Sequence, residues 1–400
     1  MKRRLRIVAF AVLGVLVLAG GFAAWLIGTE SGLRFALARA VGATDGRLSL
    51  RDASGSLRSG FTLTGLRWQD VRAGADLQVA EATIALDAGE LFAGRVHVRS
   101  LAARGLRAAL TTTPPDPDAK PFDLAAPLAI AIDDALLRDA EVTQDKEPML
   151  KVDELRTAAR WDANGLAVER LSLRSPAGKV DLDGALALAP VNRGNGRIRF
   201  AWRAGERDYA GTIAAKSDGA HANLDVALTV PTAARVVLLL EPRGRWPWTA
   251  SVRVPAFAPQ RVLPDTTWES LALSIDGAGD EGSGRFSGEL AIDARRFTLN
   301  DVRYVLDARR IEVTSLDIGS PDAAGVVSGR ASLVRNDGPL HGTAALEWRD
   351  VVLPADLAGQ ALESHGEVAL SGSTDAWHAE TKLELGPPGK PNEITARIDG

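Results

Sequence analysis

The residues of this sequence best suited to proton transfer or metal binding near neutral pH are its five histidines: His97, His221, His341, His365 and His378. None lies at a spacing that brings two imidazoles to one ion. Glu363 and His365 are two residues apart, so on a strand they share one face, the arrangement of a solvated pair. Asp181-Leu182-Asp183-Gly184 opens like a calcium loop but lacks the later oxygen ligands, and reads as a strand running into a turn. Gly277 to Gly284 is rich in glycine, yet Asp280 and Glu281 put negative charge where a phosphate would have to sit. The chain has no cysteine, hence no thiolate chemistry and no disulfide staples. It also lacks a phosphate-loop motif and a nucleophile-elbow serine. Neither catalysis nor a cofactor is expected. Arg243, Arg245, Trp246 and Trp248 combine cations with indoles. They suit either a lipid-headgroup rim or an aromatic plug in the seam of a β layer.

Composition points the same way. Hydrophobic residues make up 46% of the chain and aromatics only 5%, so the apolar mass is mainly Ala, Leu and Val. Such side chains fill narrow, repetitive layers better than one thick core. The net charge is −4, with both signs interspersed, which excludes the clustered basic face that nucleic acid requires. A length of 400 residues suggests two or three domains, unless the chain is an array whose length reflects the number of units.

Residues 1–28 are expected to form a cytoplasmic tip and a transmembrane anchor. Lys2, Arg3, Arg4 and Arg6 precede an uncharged run from Ile7 to Ile27, which as a helix would measure roughly 31 Å, about the thickness of bilayer hydrocarbon. The basic cluster places the N-terminus in the cytoplasm and the body across the membrane. A cleaved signal peptide would have a shorter apolar region ending at a small-residue site. The best such site, Ala19-Gly20-Gly21, lies inside the run, with Phe22 to Ile27 still apolar after it. Residues 29–42 predict a short amphipathic helix, capped at Thr29 or Ser31. It would either lie near the membrane surface or pack onto the first strands as an end cap.

From Arg47 onward the period changes to two. Phe61/Leu63, Val96/Val98, Val180/Leu182, Leu186/Leu188, Ile198/Phe200, Val226/Leu228, Leu273/Ile275, Leu290/Ile292, Leu346/Trp348 and Val368/Leu370 alternate with polar residues. Turn signals interrupt every eight to twelve residues or so. Each strand therefore has one apolar and one wet face, as in an antiparallel-type sheet protected on one side. Asp162-Ala163-Asn164-Gly165 predicts a hairpin between Leu155–Trp161 and Leu166–Leu173. Ser175 to Gly178 and Asn336 to Pro339 predict further turns. At Gly65 the apolar parity flips, and a bulge there would keep both halves of the strand on one face. Only two stretches read as breaks, the Pro-rich segment beginning at Thr113 and the Pro- and Trp-rich segment Pro242 to Pro264.

The expected fold is mainly β: an elongated, curled or stacked antiparallel-type sheet, groove-like or solenoid-like, with an apolar interior and one N-terminal transmembrane helix. Residues 43–112 would form a first strand cluster, 113–127 a linker, and 128–400 a repetitive strand body. Roughly two dozen strands at about 4.8 Å each would run roughly 115 Å. Two tyrosines in the whole chain argue against the aromatic girdles of a porin-type barrel. The residues expected to line the apolar interior are Leu63, Val96, Val98, Leu182, Leu186, Phe200, Val226, Leu228, Leu273, Ile275, Ile292, Leu346 and Leu370.

Several stretches resemble a known family. These are Thr29-Glu30-Ser31-Gly32-Leu33-Arg34 after the span, Gly46-Arg47-Leu48-Ser49-Leu50, Gly55-Ser56-Leu57, Leu63-Thr64-Gly65-Leu66-Arg67-Trp68, and Glu81 to Leu110 with its Leu91-Phe92-Ala93-Gly94 turn. Together they resemble the N-terminal part of the TamB family, the inner-membrane component of the translocation and assembly module, in the wider AsmA-like group. The resemblance implies a Gram-negative inner-membrane protein whose periplasmic β groove serves outer-membrane protein assembly and phospholipid passage. It also implies an outer-membrane partner, an Omp85-type barrel protein of the TamA-like kind, engaged through a region beyond Gly400. Physics supports the lipid role, since exposing ~30 methylenes to water costs roughly 24 kcal/mol at about 0.8 kcal/mol each. A purely structural tether or chaperone scaffold with a closed β core would produce the same alternation. An adhesin-like solenoid would not keep an uncleaved anchor.

Overall fold

The computed structural model describes Phe22 and residues 24–71, 74–112, 125–126, 128–188, 192–261, 266, 268–307, 309–321, 324–334, 340–353, 360–373, 376–387 and 389–400. The expected span over residues 7–27 lies outside these, apart from Phe22 and the helical residues 24–27. Among the described residues no helix is long and apolar enough to cross a membrane. They contain 23 strands, and the chain divides into two units, residues 1–208 and 209–400.

The first unit opens with α1 (Glu30–Gly42). Thr29 caps it by accepting the Gly32 N–H at 3.1 Å, while Glu30 in the first turn and Arg39 in the last complement the helix dipole. Of its two expected placements, packing onto the first strands is seen here. Leu33 is completely buried against Ala53, Phe61 and Leu63, with Leu37, Leu50, Leu57, Ile84 and Leu86 packed around them. Then follow β1 (Leu48–Ser49), β2 (Asp52–Ser56), β3 (Gly60–Asp70), β4 (Ala75–Leu86), a five-residue helix α2 (Ala88–Phe92) and β5 (Arg95–Leu110). The unit continues through β6 (Ala129–Gln144), β7 (Glu147–Asp162), β8 (Gly165–Ser175), β9 (Gly178–Ala187) and β10 (Arg193–Ala204).

From β3 onward each strand of this unit pairs with its neighbours in sequence, and β1 and β2 both lie along β3. The hairpin expected at Asp162 is present: Asp162 pairs with Gly165, and its carboxylate accepts the N–H groups of Asn164 and Gly165 at 2.7 and 3.1 Å. Ser175 and Gly178 close the next hairpin, and the turn expected at Asn336 to Pro339 lies outside the described residues.

One pairing corrects the antiparallel expectation. β5 and β6 run parallel, from Arg95 beside Ala129 to Leu110 beside Gln144. A parallel neighbour requires the chain to return along the full strand, about 50 Å for a strand of this length. Of the linker expected over residues 113–127, all but residues 125–126 lies outside the described residues.

The parity change at Gly65 has a wider extent than one strand. Thr64 pairs with Glu81 and Leu66 with Val79, leaving Gly65 (φ +66°) and Ala80 between the pairs. The same interruption crosses β5 at Gly105 (φ +66°) and β6 at Asp139 (φ +55°). Apolar positions therefore step by three together: Leu63 to Leu66, Ala103 to Leu106, Leu137 to Ala140. Both halves of each strand stay on one face. Glycine suits position 65 because a Cβ there would lie 2.9 Å from that of Arg51, in a backbone region that side chains disfavour.

The second unit begins within β11 (Arg207–Ser217) and continues through β12 (Ala222–Val230), β13 (Ala234–Leu240), β14 (Trp248–Phe257), β15 (Leu271–Gly279), β16 (Ser283–Ile292) and β17 (Arg295–Leu306). It ends with β18 (Arg310–Gly319), β19 (Val326–Val334), β20 (His341–Leu353), β21 (Leu362–Ser373), β22 (Trp377–Gly386) and β23 (Asn392–Asp399). All these pairings are antiparallel and sequential. The segment Pro242 to Pro264, read from sequence as a break, contains β14. Its tryptophans and prolines mask a strand whose Ala250, Val252 and Val254 alternate like the rest. No pairing among the described residues closes either ladder on itself.

Candidate functional site

Partners directly opposite in a ladder share a face, so the register shows how far the alternation carries. In the first unit one row runs Leu63, Ala82, Ala103, Leu137, Leu155, Leu173, Val180, Phe200. In the second unit a row crosses every strand from β11 to β23: Ile213, Val226, Val236, Val252, Ile275, Gly288, Leu299, Ile318, Val327, Trp348, Gly366, Leu383, Ile394. The row beside it, Ala215 through Phe286 and Leu346 to Ala396, has Thr381 as its one polar member. On β16 the apolar face extends from Gly284 to Ile292, about 27 Å at the usual strand rise.

These faces are half-open. Apart from Pro259, the fully buried apolar side chains among the described residues all lie in the first unit, and those of the second unit's rows are half-buried or exposed. Two interdigitating sheets would bury such rows. At β18–β22 the face holds a concavity of about 440 Å³ lined by Ile311, Val313, Leu333, Leu340, Leu370 and Trp377.

Glycines on the apolar face of the second unit sit under aromatic rings. A Cβ on Gly277 would strike the Phe286 ring at 2.4 Å, one on Gly284 the Tyr304 ring at 2.7 Å, and one on Gly366 the Trp348 ring at 2.5 Å. Trp248, Phe286 and Tyr304 form a row of rings with centroids 5.8 and 5.5 Å apart, the first pair tilted and the second stacked. Burial and the nearby Asp280 carboxylate raise the Tyr304 hydroxyl pKa. Sequence reading missed this layer. The available signal was glycine recurring at alternate strand positions near aromatic residues, as at Gly277, Gly279 and Phe286.

The opposite face is charged, with cross-strand pairs. Arg67 grips Asp76 through two bonds of 3.0 and 2.6 Å, Arg235 grips Asp225 at 3.1 and 2.6 Å, and Arg253 holds both oxygens of Asp276. Hydrogen bonds from these guanidinium groups hold all three carboxyls below their usual pKa. Asp218, in the β11–β12 turn, is lowered to about 2 by the backbone N–H groups of His221 and Ala220.

The residues with chemical potential are dispersed over this polar face and the turns. Asp181 and Asp183 lie in mid-β9 opposite Arg199 and Arg197. His97 contacts Asp133 at 2.9 Å, and the backbone N–H of Asp350 donates to His365 Nδ1 at 3.2 Å. Among the described residues no group of three or more His, Asp or Glu is placed to share a metal ion. Asp280 closes the β15–β16 turn by accepting the N–H groups of Gly282 and Ser283, both at 2.9 Å. Trp248 lies over Gly279 with its indole N–H donating to the Asp280 carbonyl at 3.2 Å, while Trp246 is exposed in the preceding turn. Of the two cations beside them, Arg245 pairs with Asp280 at 3.4 Å.

His378 in β22 bonds Asp399 of β23 and Glu380, and these acceptors, Asp399 first, raise its pKa. The folded pKa exceeds the unfolded one, so the charged imidazole tightens the β22–β23 hairpin below the unfolded value. That contribution is lost as pH rises through the raised value. Amide exchange in β23, corrected for its intrinsic pH dependence, should therefore lose protection as pH rises from the ordinary imidazole range through the raised value. In His378→Ala the change should vanish; an unaltered pH response in that variant would show that His378 does not cause it.

Val96 and Val98 in β5, Leu182 and Leu186 in β9 and Phe200 in β10 all lie on the apolar face of the first unit. Val226 and Leu228 in β12, Leu273 and Ile275 in β15, Ile292 in β16, Leu346 in β20 and Leu370 in β21 lie on that of the second. Leu63 shares the first unit's face but is 6% exposed, because α1 covers it. The family model described as TamB, N-terminal domain, matches residues 18–183. The chain carries a TamB N-terminal domain. The TamB match takes in the end of the apolar run, α1, the parallel β5–β6 pair and all strands to the middle of β9. No curated protein and no solved structure matches the chain.

Proposed function

We propose that this chain is part of an inner-membrane-anchored, periplasmic β-groove protein of the translocation and assembly module type. Residues 7–27 span the inner membrane with the N-terminus in the cytoplasm. The apolar faces carry phospholipid acyl chains passively between the inner and outer membranes, and the protein assists outer-membrane protein assembly beside a TamA-like barrel. The observation that carries the lipid reading is the apolar row that crosses every strand from β11 to β23 while staying half-open. A lipid tail can rest against such a surface with its headgroup in water, and no chemistry is needed. The similarity of residues 18–183 to the TamB N-terminal domain and the apolar run after Arg6 support the readings of partner, compartment and span.

Photo-crosslinking side chains placed singly at Val226, Ile275 and Leu346, and at their neighbours Ala227, Asp276 and Ala345, test this. Lipid adducts are expected at the first three and at most a tenth as many at the others. Equal labelling of both sets would remove the groove. Absence of adducts throughout would favour a scaffold without lipid passage.

A further inference from the structure

Between the apolar run and the first strands lies a tight elbow. Helical residues 24–28 meet α1 at Thr29, whose hydroxyl donates to the Trp25 carbonyl at 2.7 Å and accepts the Gly32 N–H at 3.1 Å. The Trp25 indole N–H donates to Ser31 Oγ at 3.0 Å. Gly32 permits the close approach, since a Cβ there would fall 2.4 Å from the Trp25 carbonyl oxygen and 2.6 Å from the Leu26 Cα. The elbow is therefore defined by contacts on both sides of the bend.

Its two sides differ. Leu33 and Leu37 face the strands, while Phe35 and Arg39, at helical spacing on the opposite side, face away. Phe22, Trp25 and Phe35 form a cluster with ring centroids 5.5, 5.8 and 6.4 Å apart, and the Arg39 guanidinium stands 5.8 Å over the Phe35 ring. Despite these contacts Phe22 is 54% and Phe35 43% exposed. A second cation is close. The Arg58 backbone N–H, in the β2–β3 turn, donates to the Ile27 carbonyl at 3.0 Å, which places exposed Arg58 beside the end of the apolar run.

We infer that Phe22, Trp25 and Phe35, with Arg39 and Arg58, form a seat on the surface of an anionic bilayer. Exposed aromatic rings interleaved with guanidinium groups are what the headgroup zone accommodates: rings at the carbonyl level, cations at the phosphates. A lipid surface is favoured over a protein partner because the cluster continues directly from Ile7–Ile27. The inference thus rests on reading that run as a span. Because the elbow is tight, the seat sets the angle at which β2 and β3 leave the membrane.

The chain has no native cysteine, so single-cysteine probes can be used in the full chain. Phe35→Cys and, as a second reporter, Arg39→Cys would carry an environment-sensitive fluorophore in vesicles of phosphatidylethanolamine and phosphatidylglycerol. Quenching by lipids brominated near the headgroup should exceed quenching by aqueous iodide by about threefold or more. A probe at Ser287→Cys should show the reverse. Adding Arg39→Glu and Arg58→Glu to the Phe35→Cys protein should reduce the lipid quenching by at least half. A probe at Val15→Cys reads the span separately. If Val15 is deep in the bilayer while positions 35 and 39 stay open to iodide, the seat is refuted and the span stands. If Val15 is open to iodide, the span reading fails and takes the seat with it.

Discussion

Val226→Asp is expected to reduce the phospholipid that co-purifies with the full chain by about tenfold, a change of roughly 1.4 kcal/mol in binding, with its strand content unchanged. Val226 sits in the long row between Ile213 and Val236, flanked along β12 by Leu224 and Leu228. A carboxylate there lies among apolar side chains, and the charges nearest in sequence point to the other face. An acyl chain crossing this point would have to desolvate it, which opposes passage more than loss of one valine would. The fold should survive, because the position is half-open and the backbone pairing of β12 is untouched. Ala227→Asp is the matched control. One residue along, it projects from the polar face, opposite Thr212 and Arg235, where a carboxylate is at home. Lipid load should be normal in that variant. Quantitative lipid analysis of the two proteins, purified without detergent, decides the matter; normal load in Val226→Asp would falsify the proposal that lipid lies on this face.

Leu33→Ala is expected to destabilise the first unit by about 2–5 kcal/mol, the range for truncating a fully buried leucine without repacking. Leu33 is the one contact of α1 that is wholly enclosed, and it closes over Ala53, Phe61 and Leu63. Losing it should detach the helix before the strands unfold, because β3 and β4 are also held by their ladder hydrogen bonds. Limited proteolysis should therefore cut near α1 first. A crosslinker at Leu63, shielded in the native chain, should become as reactive toward lipid as one at Ile275. A melting temperature and a Leu63 reactivity both matching the unaltered protein would show that α1 is not the cover its burial indicates.

How much of this was legible beforehand depended on range. Alternation is a property of neighbours in sequence, so the strands, the Asp162 hairpin and the parity change at Gly65 could be read directly. Which strand lies beside which is not. β5 and β6 carry the same alternation whether parallel or antiparallel, and only the length and proline content of the segment between them bear on the direction. α2 is too short to display a helical period. β14 was hidden because tryptophan and proline were read as punctuation, although Trp248 is the first residue of the strand. The cover over Leu63 was open in the sequence, since the residues that make α1 amphipathic serve a membrane surface or a sheet equally well. Pairing glycines with the rings above them requires knowing the register, which no local pattern supplies.

In the second unit every pairing among the described residues joins strands that are consecutive in the chain. Such a ladder tolerates changes in length of one kind only. Gain or loss of two consecutive strands by duplication or deletion keeps each remaining strand antiparallel to its new neighbour, with its apolar residues on the correct side. Gain or loss of a single strand would reverse the direction of everything downstream, and only a long return segment, such as residues 111–128 between β5 and β6, could absorb it. Descendants of this chain should therefore differ in length by whole hairpins, with no remaining strand redesigned.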